Sequence, residues 1–449
     1  MREGSLEAPT RHPIDWQNPD FYDPAKLEAE MHRVFDICHG CRRCFNLCDS
    51  FPRLFDIIDA APTGELDSVA TADLKPVVDA CTLCDMCFLT KCPYVPPHEF
   101  NLDFPHLMLR ARAVEQAAGQ IGFTDGELAK TERNNGLAGL VAPLANWATA
   151  RGNTVARAAL EAVGGLHHDA ALPPFAFNPL TRRALSKPAR NVAAPAAARK
   201  AVIYATCFGN QNMPEIGEAA LAVLALNGVQ TEVLQPGCCG MPLLEQGRIG
   251  DVADTARNIA RALLVYVDRG YDVVSLVPSC TLMTKFEWKL ILPNDPDIAR
   301  LASAVFDLSE YVVDIARREG LVAGLNPVAG GVAVHIACHA RAQNIGQKAA
   351  DMLRLIPGID VQVIERCSGH GGAWGCKTEN FPTAMKQGKP VARTARNCGK
   401  ACVTSECPLA GMHIAQGMEF LGGEAPMPAL AAHPIMVLAQ AYGIRIGSD

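Results

Sequence analysis

Cysteine placement constrains this chain more than any other feature. Cys38, Cys41 and Cys44 are separated by two residues each, with Cys48 after three more; Cys81, Cys84 and Cys87 repeat the spacing, with Cys92 after four more and Pro93 behind it. Side chains at every third position of a tight loop can turn their sulfurs toward one centre, while a fourth after a longer gap can reach elsewhere. The whole chain has 18 cysteines in 449 residues. That is about 4%, below the roughly 8–10% of a disulfide scaffold, and a chain of this length has no need of covalent staples. Thiols in this number point to metal.

The first motif has the spacing of the bacterial ferredoxin run, in which three cysteines hold one cubane and the fourth crosses to its neighbour. The expected ligand sets are therefore Cys38, Cys41, Cys44 and Cys92 for one [4Fe–4S] cluster, and Cys81, Cys84, Cys87 and Cys48 for the other. Structural zinc is the competing reading, because C-x2-C pairs also build zinc ribbons. Zinc usually takes two pairs, whereas here two triplets each carry a trailing fourth. Asp49 stands where proline often follows the fourth cysteine, and the second motif is one residue longer. Neither change removes a ligand. Arg42 and Arg43 inside the first loop can steer a partner or tune a potential, with solvated charge as the plainer role.

Beyond residue 200 the chain repeats itself. Ala201–Ala205 is a β-prone run ending before Cys207, and Val332–Ala337 is another ending at Cys338. Each leads into a helix, near Pro214 and over Lys348–Leu355, and then a strand, around Thr231–Leu234 and Val361–Ile364. A further helix and strand follow, Val273–Val277 before Cys280 and Cys402–Thr404 before Cys407. The landmarks agree in spacing, 31 residues from Cys207 to Cys238 against 29 from Cys338 to Cys367, then 42 to Cys280 against 40 to Cys407. Two duplicated α/β units with small parallel sheets are expected, with cysteines just past strand ends, where such sheets bind ligands. The expected domains are 25–115 for the two-cluster region, 116–200 for a helical segment with a stiff Pro/Ala-rich connector, and 201–325 and 326–449 for the two units. His167 and His168, in the connector, are expected to be solvated and without partners.

Cys238-Cys239-Gly240 is an uncommon signature. Consecutive thiolates can bind different irons, and glycine lets the backbone approach a cluster closely. With Cys207 and Cys280 at strand ends, this points to metal, against the plainer reading of two buried cysteines beside a turn.

With this signature and its variant repeat behind two ferredoxin motifs, the chain resembles the cysteine-rich CCG iron–sulfur family. That family includes the C-subunit of anaerobic glycerol-3-phosphate dehydrogenase, the glycolate oxidase iron–sulfur subunit and the B-subunit of heterodisulfide reductase. Val141-Ala-Pro-Leu-Ala-Asn146, Cys239-Gly-Met-Pro-Leu243, Lys377-Thr-Glu-Asn380 and His433-Pro434-Ile435, followed by Leu438-Ala-Gln-Ala441, carry the likeness. The resemblance implies an α+β fold, with an N-terminal helical two-cluster ferredoxin-like domain and then two CCG units. In heterodisulfide reductase such a unit holds a five-cysteine non-cubane [4Fe–4S] cluster. Here both halves depart from that pattern. The first has Met283 in the fifth place, leaving Cys207, Cys238, Cys239 and Cys280 for a third Fe–S cluster. The second has Ser368 for the paired thiol and Ala410 in the last place, so Cys338, Cys367 and Cys407 match. Cys376, Cys398, Cys402, His339 and His370 lie near in sequence, and an Fe–S cluster with a substitute ligand, a zinc ion or an empty site are all open. The run Gly369-x-Gly371-Gly372-x2-Gly375 fails a phosphate-loop fingerprint because Trp374 takes the last glycine position. Glycines for close packing are the better account, and Trp374 is either a lid or a core residue.

Net charge is −6 and aromatics are 6%, which argues against a nucleic-acid partner. The polar N-terminus, with Arg2, Glu3 and Glu7, lacks an apolar signal region. Gly136–Ala150 is uncharged but short and interrupted by Pro143, and Ala425–Ile444 is uncharged but contains Pro426, Pro428 and Pro434, leaving only its later part helical. A cytoplasmic protein is expected, with peripheral contact at the inner face of the membrane through residues 136–163 as an option. No flavin or nicotinamide fingerprint is present. The resemblance therefore implies an electron-transfer subunit, not catalytic alone, relaying electrons between a flavoprotein dehydrogenase (glycerol-3-phosphate- or 2-hydroxy-acid-type) and a quinone or other acceptor. The alternatives are disulfide reduction at the CCG region and electron donation to a di-iron or peroxide-reducing partner.

Overall fold

The computed structural model describes residues 4–5, 7–423 and 426–447. Arg2 and Glu3, Ala425 at the head of the C-terminal uncharged stretch, and the last two positions of the second unit lie outside the described residues. Contacts group the chain into two compact units.

The first unit runs up to Ala129 and takes in Gly240–Asp254 and Trp288–Asn294. It is helical: α1 (Pro24–Cys41), α2 (Ser50–Asp59) and α3 (Phe104–Ala117) carry its core. Among the described residues it holds no strand. Asp23 starts α1 by accepting the N–H groups of Ala25 and Lys26, with Pro24 at the first position, where no donor is missed. The helix stops at Arg42, whose φ of 51° is left-handed. Phe35, Phe51, Leu54, Phe55 and Met108 are buried between the three helices, each side chain contributing about 1.5–3 kcal/mol. The first cysteine loop runs from the last turn of α1 to the start of α2, and the second follows a short helix, Lys75–Ala80, and takes in another, Met86–Thr90.

The second unit contains two parallel sheets. β1 (Lys200–Tyr204), β2 (Gln230–Leu234), β3 (Asp272–Ser275) and β4 (Val305–Asp307) pair in the order β2-β1-β3-β4. β5 (Val332–His335), β6 (Val361–Ile364), β7 (Cys402–Ser405) and β8 (Ala429–Ala431) pair as β6-β5-β7-β8. The two orders are the same, so the repeat in the sequence is a repeat in topology. The central strands are buried on both faces, which is why they read as unbroken apolar runs. The edge strands β4 and β8, three residues each, were not expected from the sequence.

Ahead of the sheets, three short helices stand in succession: α4 (Thr131–Leu140), α5 (Ala142–Thr149) and α6 (Thr154–Gly164). In the first half α7 (Pro214–Leu226) begins at proline as expected. In the second, α8 (Phe381–Asn397) and α9 (Pro408–Leu421) cover the sheet, with Val391, Ala395, Ile414 and Met418 packed on Ala333 and Val403. Residues 166–199 hold one helical turn, Leu180–Arg183, among turns and stretches without regular structure such as 171–176 and 187–191. Their start is tied to the second half, where the His167 N–H donates to Cys376 O at 2.9 Å.

Candidate metal centres

In the first unit Cys38, Cys41, Cys44 and Cys92 line one pocket with Arg43, Phe51, Phe55 and Tyr94. Cys38 sits in the last turn of α1, where its carbonyl accepts the Arg42 N–H at 2.8 Å. Burial pushes the Cys44 thiol up to about 12, with Cys92 and Cys41 adding to it and Lys91 and Arg43 acting the other way. Cys38 is raised by burial and then by Cys92, Cys44 and Cys41. Cys87 is raised by burial and then by Cys84, Cys81, Cys48 and Cys44. The thiols thus fall into two interlocked sets, each including the far cysteine of the other motif, and Cys44 of one set is within electrostatic reach of Cys87 of the other. Thiols that cannot ionise singly are deprotonated by a bound cationic centre, so these donor sets fit a thiolate-ligated metal group.

The two arginines of the first loop differ. Arg42 caps α1, is ion-paired with Asp59 and lies 5.2 Å from the Phe55 ring. Arg43 lines the thiol pocket. Further residues that hold the second loop are invisible in the motif. Leu83 and Asp85 take left-handed φ values of 48° and 63°. Arg11, 74 and 92 residues away in sequence, fixes this turn by pairing with Asp85 at 2.8 Å and Asp103 at 2.8 Å. Arg112 donates to Val78 O at 2.8 Å and to Cys81 O. Burial lifts the Cys81 thiol to about 11, against the pull of the Arg112 charge.

In the first half, Cys207, Cys239 and Cys280 are buried and Cys238 half-buried. Thr206 turns the chain out of β1 with φ 59°, its side chain accepting the Gly209 N–H. This starts a one-turn helix at Cys207. The Cys207 and Cys238 sulfurs are 3.7 Å apart, close to the edge of about 3.8 Å that 2.3 Å bonds give a tetrahedral thiolate site. Hydrogen bonding to Cys238 and then burial raise Cys207; hydrogen bonds with Cys238 and Cys280 and then burial raise Cys239. The Tyr204 hydroxyl, buried at the end of β1, donates to Gly237 O at 2.8 Å, and Gly240 has φ 87°. Glu132 of α4 accepts the Cys238 N–H at 3.0 Å. Tyr204 and Glu132 thus hold the cysteine pair from two sides, and nothing in the local motif announces either.

In the second half, the thiol of Cys367 is held down to about 7 by hydrogen bonding with Cys338, despite its burial; the Gly369 N–H donates to it at 3.3 Å. His370 stands 3.7 Å from Cys407 through Nε2, and its Nδ1 accepts the Gly372 N–H at 2.8 Å. That bond leaves the ring proton on Nε2, facing the Cys407 sulfur. Cys407 is raised to about 11 by burial. Ser368, in the place of the missing thiol, is buried. Gly369 has φ 81°, and a Cβ there would meet Ala384 O in α8, so the glycine run serves close packing. Trp374 is half-buried in a short turn. Of the spare cysteines, Cys376 and Cys398 donate to the carbonyls of Ala373 and Ala395, both at 3.1 Å. Cys402 donates to Val403 O at 3.6 Å. The two halves meet where His339 Nδ1 bonds Ser279 Oγ at 2.8 Å.

One expectation needs correcting. His167 and His168 are not unpartnered: His168 Nδ1 is 2.7 Å from Glu161, and the His167 ring stacks on Phe381 at 4.2 Å. The His167–Phe381 pair links distant parts of the chain, whereas Glu161 lies only seven residues before His168.

Residues 201–285 and 332–415 match the cysteine-rich domain family CCG. The chain carries two CCG domains. It is 27% identical over 312 residues to the C-subunit of anaerobic glycerol-3-phosphate dehydrogenase from Escherichia coli (strain K12), covering 67% of this chain and 72% of that protein. It is 28% identical over 222 residues to the B-subunit of fumarate reductase (CoM/CoB) from Methanothermobacter marburgensis, 48% of this chain and 42% of that one. Lactate utilization protein A of Geobacillus kaustophilus is 26% identical over 187 residues, 40% of this chain and 75% of that protein. Each match takes in three strands of one parallel sheet, β1–β3 and β5–β7, and stops before the edge strands β4 and β8. No helix among the described residues is long and apolar enough to cross a membrane.

Proposed function

We propose that this protein is an iron–sulfur electron-transfer subunit, passing single electrons between a flavoprotein dehydrogenase and a quinone or other acceptor. The interlocked grouping of the eight N-terminal thiols carries this reading, because crossed fourth ligands belong to paired cubane clusters and serve no purpose in separate zinc ribbons. The names of the relatives, subunits of a dehydrogenase and a reductase, support it.

When bound, two [4Fe–4S] clusters in the first unit and a third in the first CCG domain would supply one-electron storage. The chain's own residues then do four things. Cys38, Cys41, Cys44 and Cys92 hold one cluster, and Cys81, Cys84, Cys87 and Cys48 the other. Cys207, Cys238, Cys239 and Cys280 hold the third. Phe51, Phe55 and Tyr94 keep water from the first site. Lys91 and Arg43 favour the thiolate form of Cys44. The second CCG domain keeps three thiols, Cys338, Cys367 and Cys407, for a further cluster or a zinc ion. On this reading the protein works in the cytoplasm, at the inner face of the membrane when its acceptor is a quinone.

The test is to reduce anaerobically purified protein and mix it with a soluble quinone analogue. Rapid reoxidation, with no turnover of a disulfide in the absence of a partner, is expected. Disulfide turnover by the chain alone would favour cluster catalysis in the CCG region.

A further inference from the structure

The two CCG domains leave their first strands in different ways. After β5, Ala337 has φ −66° and ψ 151°, ordinary extended backbone, and the one-turn helix Cys338–Ala342 starts on this alanine, which has no side-chain group to cap it. After β1, Thr206 has φ 59° and ψ 163°. That combination belongs to glycine, because a Cβ crowds the neighbouring backbone there, and a β-branched residue suits it least. The topology does not demand this strain. β1 and β5 hold the same place in sheets of the same order, and both run into a one-turn helix headed by a cysteine. Only the first does so through a strained residue.

Glycine would take this turn freely; what it lacks is the hydroxyl. Thr206 Oγ1 accepts the Gly209 N–H at 3.1 Å, and Thr206 O accepts the Asn210 N–H at 3.0 Å. Thr206 is 0% exposed, and residues 207–210 are buried. Water is therefore kept from the Gly209 N–H, and losing its acceptor would leave a buried donor unpaired. The turn is held from two more sides. The Ala205 N–H donates to Leu234 O at 3.0 Å, which carries the β1–β2 ladder to the residue before the turn. Asn210 Oδ1 accepts the Thr181 N–H at 3.0 Å. Surroundings of this kind over-determine a strained residue, and such residues gather at functional sites.

The consequence falls on Cys207, the next residue. It is buried, whereas its counterpart Cys338 is half-buried, and its sulfur stands 3.7 Å from that of Cys238. The helix that the hydroxyl caps is the one that carries this sulfur. We infer that Thr206 is a positioning residue for the third cluster: it bears backbone strain so that its hydroxyl can lock the Cys207 turn, and the four-thiol set depends on that lock. The inference rests on the reading of Cys207, Cys238, Cys239 and Cys280 as cluster ligands. In the second domain Ala337 supplies neither strain nor hydroxyl, and the set there has three thiols.

The test uses the full-length chain prepared without oxygen, as wild type, Thr206→Ser, Thr206→Val and Thr206→Gly. Serine keeps the hydroxyl, valine keeps the shape without an acceptor, and glycine drops both the hydroxyl and the strain. The readouts are iron release to a chelator and the EPR-monitored midpoint potential of each cluster, with the N-terminal pair as internal control. Thr206→Ser should match the wild type. Thr206→Val and Thr206→Gly should release the third cluster's iron roughly fivefold faster, the equivalent of one lost capping bond, with a shifted midpoint and unchanged N-terminal signals. Denaturant unfolding should rank Thr206→Gly above Thr206→Val, since both lack the cap and only glycine sheds the strain.

The inference is overturned if Thr206→Val or Thr206→Gly keeps the wild-type iron release and potential, or if Thr206→Ser fails to keep them. It is also overturned if the N-terminal signals change as much as the third, because the effect is then general destabilisation. A wild type without a third cluster would overturn the ligand reading and this inference together. A wild type that holds the cluster beside an indifferent Thr206→Val would overturn this inference alone.

Discussion

The two CCG domains share one strand order and nearly the same cysteine landmarks, yet their thiol chemistry differs. In the first, Cys207, Cys238, Cys239 and Cys280 gather with Cys207 and Cys238 3.7 Å apart, and no histidine is needed to complete the set. In the second, serine replaces the paired thiol and His370 turns an N–H toward Cys407 at 3.7 Å. Duplication has therefore preserved the scaffold while the ligand set drifted. The sheet depends on apolar burial that many residues supply together, whereas a metal site loses a ligand with one substitution.

The comparison can be broken most directly with Cys239→Ser and Cys367→Ser. The first should remove about four irons per chain from anaerobically prepared protein, leaving the N-terminal signals intact. Loss of the same iron from Cys367→Ser alone would reverse the assignment of the two halves.

A smaller effect separates the two glycines. Gly240→Ala and Gly369→Ala both force a left-handed residue, at about 1–2 kcal/mol. Only at Gly369 would the added methyl also strike helix backbone, at about 1–3 kcal/mol more. Denaturant unfolding should therefore rank Gly369→Ala as clearly the weaker protein, and equal losses would show that the second loop can yield.

Next comes Asp307, which ends β4 in the first half and accepts the Ser309 N–H at 3.0 Å. Burial pushes its carboxyl up to about 6. Because this folded-state value lies above the ordinary one, the native state prefers the proton. The contribution is present below about pH 4 and is lost as pH rises through about 6. Asp307→Asn should flatten the fall in stability between pH 4 and pH 7, by at most about 3 kcal/mol. An unchanged profile would mean that the carboxyl is ionised in the folded protein.

The smallest effect concerns His370. Replacing it with Phe removes an N–H facing a ligand sulfur, which should lower the potential of any cluster in the second domain and leave the first unchanged. A strong nitrogen hyperfine coupling in the wild-type signal would instead make His370 a ligand.

Much of this arrangement was legible from local pattern. The strands from Lys200 to Tyr204 and from Val332 to His335 were readable because parallel strands buried on both faces are apolar without interruption. The edge strands, Val305–Asp307 and Ala429–Ala431, were not, being three residues long and lacking any such run. Cysteine spacing suggested crossed ligand sets, and Cys92 does line one pocket with Cys38, Cys41 and Cys44. It could not disclose Arg11, which reaches Asp85 and Asp103 across 74 and 92 residues, or Glu132, which reaches Cys238 across 106. Contacts of that separation are products of the tertiary fold and leave no mark on neighbouring sequence. The stretch from residue 136 to 150 stood out as uncharged, but the hydrogen bonds that anchor α4, α5 and α6 through Asn135, Asn146 and Arg157 have partners that the local sequence does not show.

The central claim is that thiols from Cys38 to Cys92 hold iron–sulfur clusters that carry electrons. Its most direct test is chemical analysis of oxygen-free protein for iron, zinc and acid-labile sulfide, followed by low-temperature EPR on dithionite reduction. Three clusters predict about twelve irons with equal sulfide and two interacting signals from the N-terminal pair. Stoichiometric zinc, no sulfide and an EPR-silent reduced sample would contradict it.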